Sequence, residues 1–105
     1  MNILFICSKN KWRSRTAETI FKNNQHHDVR SAGTDSDARV KVTEKLIQWA
    51  DLIFVMEKRH RQILNEKFES IINSKKIVVL DIEDNYQYMD GELIESLRIS
   101  VAPYF

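Results

Sequence analysis

Cys7 is the only cysteine of this chain, and Arg13 and Ser14 follow it at a spacing that suits a phosphate-binding loop. The stretch reads Met1-Asn-Ile-Leu-Phe-Ile-Cys-Ser-Lys-Asn-Lys-Trp-Arg-Ser14. An apolar run ends at the cysteine, five residues intervene, and then come the arginine and a serine that opens a helical pattern over residues 15–23. That order can aim a thiolate at a phosphate. A strand would carry the sulfur to the carboxyl edge of a sheet. Backbone N–H groups of the loop would form an anion-binding nest, and the helix N-terminus would add partial positive charge. Arg13 can grip two phosphate oxygens at once. The same field favours thiolate over thiol at neutral pH. The competing reading of Cys7 is simple burial, because free cysteine is among the most buried residue types.

The elements that must hold these residues follow from the hydrophobic pattern. Asn2–Cys7 is a short apolar run and reads as a buried strand. Residues 16–24 read as a helix with Ala17, Ile20 and Phe21 on one face. A second strand covers residues 28–32 and ends at Gly33, and residues 34–39 form a polar loop. Residues 42–50 place Leu46, Ile47 and Trp49 at helical spacing, with Thr43 as the candidate cap. The continuous apolar run in residues 51–56 predicts a central strand. Residues 59–68 read as a basic helix with Ile63 and Leu64 inward and His60 on its basic face; residues 70–73 add a helical turn. A fourth strand spans residues 76–80, an acidic, tyrosine-bearing loop residues 81–90, and a terminal helix residues 92–100 with Leu93, Ile94 and Leu97 inward. Strands alternating with helices predict a parallel sheet covered on both faces. Ligands of such sheets bind outside the carboxyl ends of the strands. Cys7 and the loop after the fourth strand can therefore meet at one edge.

The chain as a whole sets bounds. Its 105 residues suit one compact domain spanning 1–105. An apolar share of 43% and a charged share of 30% are ordinary for a globular protein. A net charge of +1 supplies no global basic field for nucleic acid. Locally, Lys9, Lys11, Arg13 and Arg15 alternate through the loop, which suits an anionic substrate, whereas residues 81–95 are acidic. A single cysteine excludes an intramolecular disulfide scaffold. The amino terminus shows no charged leader pattern, and its apolar run is too short to span a membrane. The expectation is a cytoplasmic protein with no membrane or nucleic-acid partner.

Residues 3–21 resemble the amino-terminal signature of the low-molecular-weight protein tyrosine phosphatases: a strand, Cys-x-x-Asn-x-x-Arg-Ser, then a helix with an Ala-Glu pair. Cys7, Asn10, Arg13, Ser14, Ala17 and Glu18 fall in place. Three further segments arrive in family order. Ser31-Ala-Gly-Thr34 resembles the motif after the second strand. Ala50-Asp-Leu-Ile-Phe-Val-Met-Glu57 resembles the third strand and its Met-acid end, and Ile82-Glu-Asp-Asn-Tyr86 the segment of the general acid. Asn85-Tyr-Gln-Tyr-Met-Asp-Gly-Glu-Leu93 is similar to the end of a compact bacterial branch. The chain departs from the pattern at several places. Lys9 stands where glycine is common, so the loop's shape leans on Asn10, which tolerates left-handed geometry. Trp12 replaces a second cysteine, and Asn85 and Gly91 replace prolines. The stretch from Gly33 to Ala50 is short.

The resemblance implies an α/β three-layer sandwich with a four-stranded parallel sheet in the order 2-1-3-4. It also implies a metal-independent phosphatase, without cofactor, that hydrolyses phosphotyrosine or other aryl phosphate monoesters through a cysteinyl-phosphate. Cys7 would be the nucleophile. Arg13 and the N–H groups of Ser8, Lys9, Asn10, Lys11, Trp12 and Arg13 would hold the phosphoryl oxygens. Ser14 would hydrogen-bond the sulfur, Asn10 would brace the loop, and Asp84 would serve as general acid and then base. Asp81, Glu83 and Asp90 compete with Asp84 for that role. Trp12, Tyr86 and Tyr88 would line the rim, or the two tyrosines would simply pack their loop. The expected partners are a phosphorylated protein or small aryl phosphate, with phosphate, vanadate and sulfate as inhibitory oxyanions. The alternative is a non-catalytic phospho-ligand binder on the same scaffold. An arsenate reductase would need further cysteines, and RNA binding through Trp12 would need a stronger basic field.

Overall fold

A computed structural model describes all 105 residues. Four parallel strands make one sheet: β1 (Asn2–Cys7), β2 (Asp28–Gly33), β3 (Leu52–Val55) and β4 (Lys76–Val79). Their order is β2-β1-β3-β4, as the resemblance implied. Helices α1 (Arg13–Phe21), α2 (Glu44–Trp49), α3 (Lys58–Lys67), α4 (Glu69–Ile72) and α5 (Gly91–Val101) connect and cover the strands, and a short 3-10 turn, Ala102–Tyr104, ends the chain.

The period of two in a strand divides the apolar residues between two cores. Ile3, Phe5 and Cys7 of β1 join Leu52 and Phe54 of β3 on one face, where they meet Ala17 and Phe21 of α1 and Leu93, Leu97 and Val101 of α5. Leu4, Ile6, Ile53 and Val55 point the other way and meet Ile47 of α2, Leu64 of α3 and Ile72 of α4. Phe5 stacks on Phe21 and Phe54, with ring centroids 5.8 and 5.0 Å away. Burial on both faces is why β1 and β3 read as unbroken apolar runs rather than alternating ones.

Caps set several boundaries. Thr43 Oγ1 accepts from the Leu46 N–H at 3.2 Å and starts α2. Asp90, one of the candidate acids, instead caps α5 by accepting from the Glu92 N–H at 2.9 Å. Trp49, expected in the core, is half-buried, and the Arg30 guanidinium lies 4.4 Å from its ring centroid. Helix α1 begins at Arg13, ahead of the expected start, and has no side-chain cap. Its first-turn N–H groups therefore stay available.

Candidate active site

The register of β1 brings Cys7 to the carboxyl edge of the sheet opposite Gly33. Beyond it, residues 8–12 wrap back into α1. The carbonyls from Cys7 to Asn10 point outward to one neighbouring segment. Cys7 O accepts from the Thr34 N–H at 3.0 Å, Ser8 O from Asp35 at 2.9 Å and Lys9 O from Arg39 at 2.9 Å. Asn10 O accepts from the Arg39 side chain at 3.0 Å. With the carbonyls engaged outside, the N–H groups are left on the inner side, and none from Ser8 to Ser14 donates to a protein acceptor. Such a ring of unpaired N–H groups has the chemistry of an anion nest.

Two backbone features allow this wrap. Asn10 sits in the left-handed region at φ 57°, as the Lys9 substitution led us to expect. Gly33 lies so close under the loop that a Cβ there would stand 2.7 Å from Ala38 Cβ and 3.0 Å from Asn10 N. Lys9, in place of the family glycine, swings outward and pairs with Asp37 at 2.8 Å and Asp35 at 3.3 Å. Hydrogen bonds to Asp37 and then Asp35 hold its ammonium above the usual lysine range.

Behind the sulfur runs a directed chain of hydrogen bonds. Asn10 Nδ2 donates to Ser14 Oγ at 2.7 Å and to Ser31 Oγ at 2.9 Å. Ser31 in turn donates to Glu18. Because Ser14 Oγ accepts from Asn10, its one proton can go to Cys7 Sγ, 3.0 Å away, or to the Ala32 carbonyl, 3.3 Å away, and the sulfur is the nearer partner. The Ala-Glu pair of α1 therefore has a physical purpose: Ala17 packs in the core and Glu18 anchors the brace.

Cys7, Ser8, Lys9, Lys11, Trp12, Arg13 and Asp84 line one cleft of about 230 Å³. Asn10 and Ser14 do not line it; both are fully buried and act from behind. The Arg13 guanidinium is 2% exposed and firmly tethered. Its Nη1 donates to Glu57 Oε2 at 2.6 Å and to Ile82 O at 2.8 Å. Partial burial would raise the Glu57 carboxyl, but hydrogen bonds from Arg13 and Arg59 outweigh it and hold the group below the usual range. Asp84 Oδ1 lies 3.6 Å from Arg13 Nε. Of the competing acids Asp84 alone reaches the cleft, since Asp81 and Glu83 face other grooves.

Three expectations change. Tyr86 and Tyr88 do not line the cleft. Tyr86 packs on the α1–α5 core, while the Tyr88 hydroxyl meets Thr19 Oγ1 at 2.8 Å beneath the Arg15 guanidinium. Their loop is tied down by the Met89 N–H, which donates to Thr16 Oγ1 at 2.9 Å. Trp12, 43% exposed, is then the aromatic group at the rim. His60, read as part of the basic face, is fully buried. It is held at Ser8 Oγ, 2.9 Å from Nε2, and at the Glu57 N–H, 3.1 Å from Nδ1. Neither His60 nor Glu57 was among the expected site residues. The Met-acid end of the third strand was the available signal for Glu57.

Comparison with known proteins finds likeness in sequence and in fold. Residues 2–49 match the family model described as low molecular weight phosphotyrosine protein phosphatase. A protein-arginine-phosphatase of Bacillus subtilis (strain 168) is 30% identical over 95 aligned residues, covering 65% of this chain. The match spans 63% of that relative, under two thirds of its length. A crystal structure of a Bacillus subtilis YwlE mutant superposes with a TM-score of 0.72 at 27% identity, covering 98% of this chain and 97% of its own. A second structure, of the YwlE arginine phosphatase with a cysteine-to-serine change and a phosphorylated active-site serine, gives a TM-score of 0.73 at 25% identity over 98% and 94% of the two chains. In its fold, its loop and these likenesses, the chain is similar to the low-molecular-weight phosphotyrosine protein phosphatases.

Proposed function

We propose that this protein is a metal-independent phosphatase that hydrolyses phosphotyrosine or another aryl phosphate monoester through a cysteinyl-phosphate. The observation that carries this reading is the placement of Cys7 and Arg13 with Asp84 in one cleft above a loop of unpaired N–H groups. The loop N–H groups and Arg13 hold the phosphoryl oxygens and neutralise charge as it spreads in the transition state. Cys7 sulfur attacks phosphorus, the P–O bond breaks, and the Asp84 carboxyl delivers its proton to the departing oxygen. Water then attacks the phosphocysteine while Asp84 takes its proton. The P–S bond breaks, and the Ser14 hydroxyl stabilises the returning thiolate.

Trp12 favours an aryl leaving group, because its exposed ring at the mouth offers a stacking face. The arginine phosphatases among its relatives raise phosphoarginine as a second substrate. The charge of the cleft opposes it: a phosphoguanidinium would lie against the cleft-lining Lys11 ammonium, with Asp84 alone to offset it. Cytoplasmic location is part of the same reading, since a lone nucleophilic thiol is kept reduced there.

Hydrolysis assays with EDTA present test this. Wild type, Cys7→Ser and Asp84→Asn are compared on p-nitrophenyl phosphate, a phosphotyrosine peptide and a phosphoarginine peptide. The expected result is aryl phosphate turnover abolished by Cys7→Ser. Asp84→Asn should cost less on p-nitrophenyl phosphate than on phosphotyrosine, whose leaving oxygen needs the proton more. A higher kcat/KM on phosphoarginine would overturn the aryl assignment. Vanadate binding without any turnover would identify a phospho-ligand binder instead.

A further inference from the structure

We infer that His60 is a positioning residue that fixes the Ser8 hydroxyl as an extra hydrogen-bond donor to the phosphoryl group. The inference rests on the phosphatase reading and adds a group that neither the loop sequence nor the comparisons assign.

His60 lies on the first turn of α3 with no exposed surface. Its Nδ1 is an acceptor, because the only group offered to it is the Glu57 N–H at 3.1 Å. The proton of the neutral ring must then be on Nε2, which stands 2.9 Å from Ser8 Oγ. His60 therefore donates, and Ser8 Oγ accepts. One consequence is fixed by proton count. The Ser8 hydroxyl hydrogen is not spent on the imidazole, and Ser8 lines the cleft beside Cys7. It is left to donate to an oxyanion held by the loop. Burial, followed by the charges of Arg13 and Arg59, lowers the ring to about 4, so the neutral tautomer persists across ordinary assay conditions. The same first turn also carries the N-cap Glu57, which holds Arg13 at 2.6 Å. One helix terminus thus aims two phosphate-directed groups.

The test uses two isosteres with opposite losses. His60→Gln keeps a donor near the Nε2 position and loses the acceptor near Nδ1. His60→Asn keeps an acceptor near Nδ1 and loses the donor toward Ser8. The full-length variants are compared by kcat, KM, vanadate inhibition and thermal midpoint, with p-nitrophenyl phosphate as substrate. We expect His60→Asn to lower kcat and weaken vanadate inhibition by about tenfold, as for loss of one hydrogen bond to a charged group. KM should change little, and His60→Gln should restore most of the loss. Ser8→Ala should show the same kcat defect, and His60→Asn should add nothing to it in the double variant. Equal activity of the two His60 variants, or additive losses in the double variant, would overturn the inference. Should His60→Asn fail to fold, unchanged kcat and vanadate inhibition in Ser8→Ala would still refute it. Absence of turnover in the wild type overturns the phosphatase reading and this one together, whereas an active wild type with an unaffected Ser8→Ala variant overturns only this one.

Discussion

A single methyl group at Gly33 should cost this site most of its activity. Gly33 ends β2 opposite Cys7 and lies directly under the phosphate loop. A Cβ at this position would stand 2.7 Å from Ala38 Cβ and 3.0 Å from Asn10 N, with the Ser8 carbonyl oxygen nearer still. Ordinary carbon contacts begin near 3.4 Å. The loop must therefore lift by about 1 Å, and packed backbone of this kind yields only at about 1–3 kcal/mol. Retreat is further resisted because Ser8 O is held by the Asp35 N–H at 2.9 Å and Lys9 O by Arg39 at 2.9 Å. Displacement of reacting groups by about 1 Å costs on the order of a hundredfold in rate. Gly33→Ala should thus lower kcat/KM on p-nitrophenyl phosphate about a hundredfold, with a thermal midpoint several degrees lower and an unchanged circular dichroism spectrum. Titration with vanadate would show the weakened nest directly. Activity within twofold of wild type would refute the reasoning, because it would mean that the loop geometry does not depend on the close approach of β2.

Other outcomes follow from the same interactions. His60 titrates near 4 in the fold against 6.5 when unfolded, so its neutral burial stabilises fully above about pH 6.5 and that contribution is lost as pH falls toward 4. At 1.36 kcal/mol per tenfold the difference is about 3 kcal/mol. Urea unfolding at pH 7 and pH 4 should show wild type losing more than His60→Asn, and equal losses would contradict the assignment. Ser14→Ala removes the hydroxyl 3.0 Å from Cys7 Sγ, so thiolate departure should slow by about tenfold; rapid-mixing kinetics should then show a p-nitrophenol burst ahead of a depressed steady state. Cys7 is the sole free thiol and Trp12 stands where a partner cysteine would trap its sulfenic acid, so prolonged peroxide should inactivate irreversibly. Full recovery with dithiothreitol would argue against that.

Contiguity explains what could be read from the chain alone. The candidate loop is one unbroken stretch, so the resemblance could single out Cys7, Asn10, Arg13 and Ser14 together and imply a role for each. Asn10 at φ 57° shows that a local steric rule was enough to place the turn. The buried strands announced themselves as apolar runs, and Thr43 as a cap, because both signals act within a few residues. Even the order β2-β1-β3-β4 was available, through the resemblance of four ordered segments.

Contacts between distant segments were decided only by the folded chain. Arg13 meets Glu57 across 44 residues and Ile82 across 69, and Ser8 meets His60 across 52. No local pattern encodes such pairs, so His60 read as one more residue of a basic face until α3 packed its first turn under the loop. The acidic loop posed the same difficulty. Asp81, Glu83, Asp84 and Asp90 are equivalent in composition, and the fold separates them by making Asp90 a cap and turning Asp84 toward Arg13. The two tyrosines went to α1 and to the core for the same reason: Thr16, Thr19 and Arg15 offered partners that the rim did not. Sequence marked the loop as the candidate site because its residues are contiguous. Tertiary structure decided which distant groups aim it, because hydrogen-bond direction and burial depend on how the strands and helices come together.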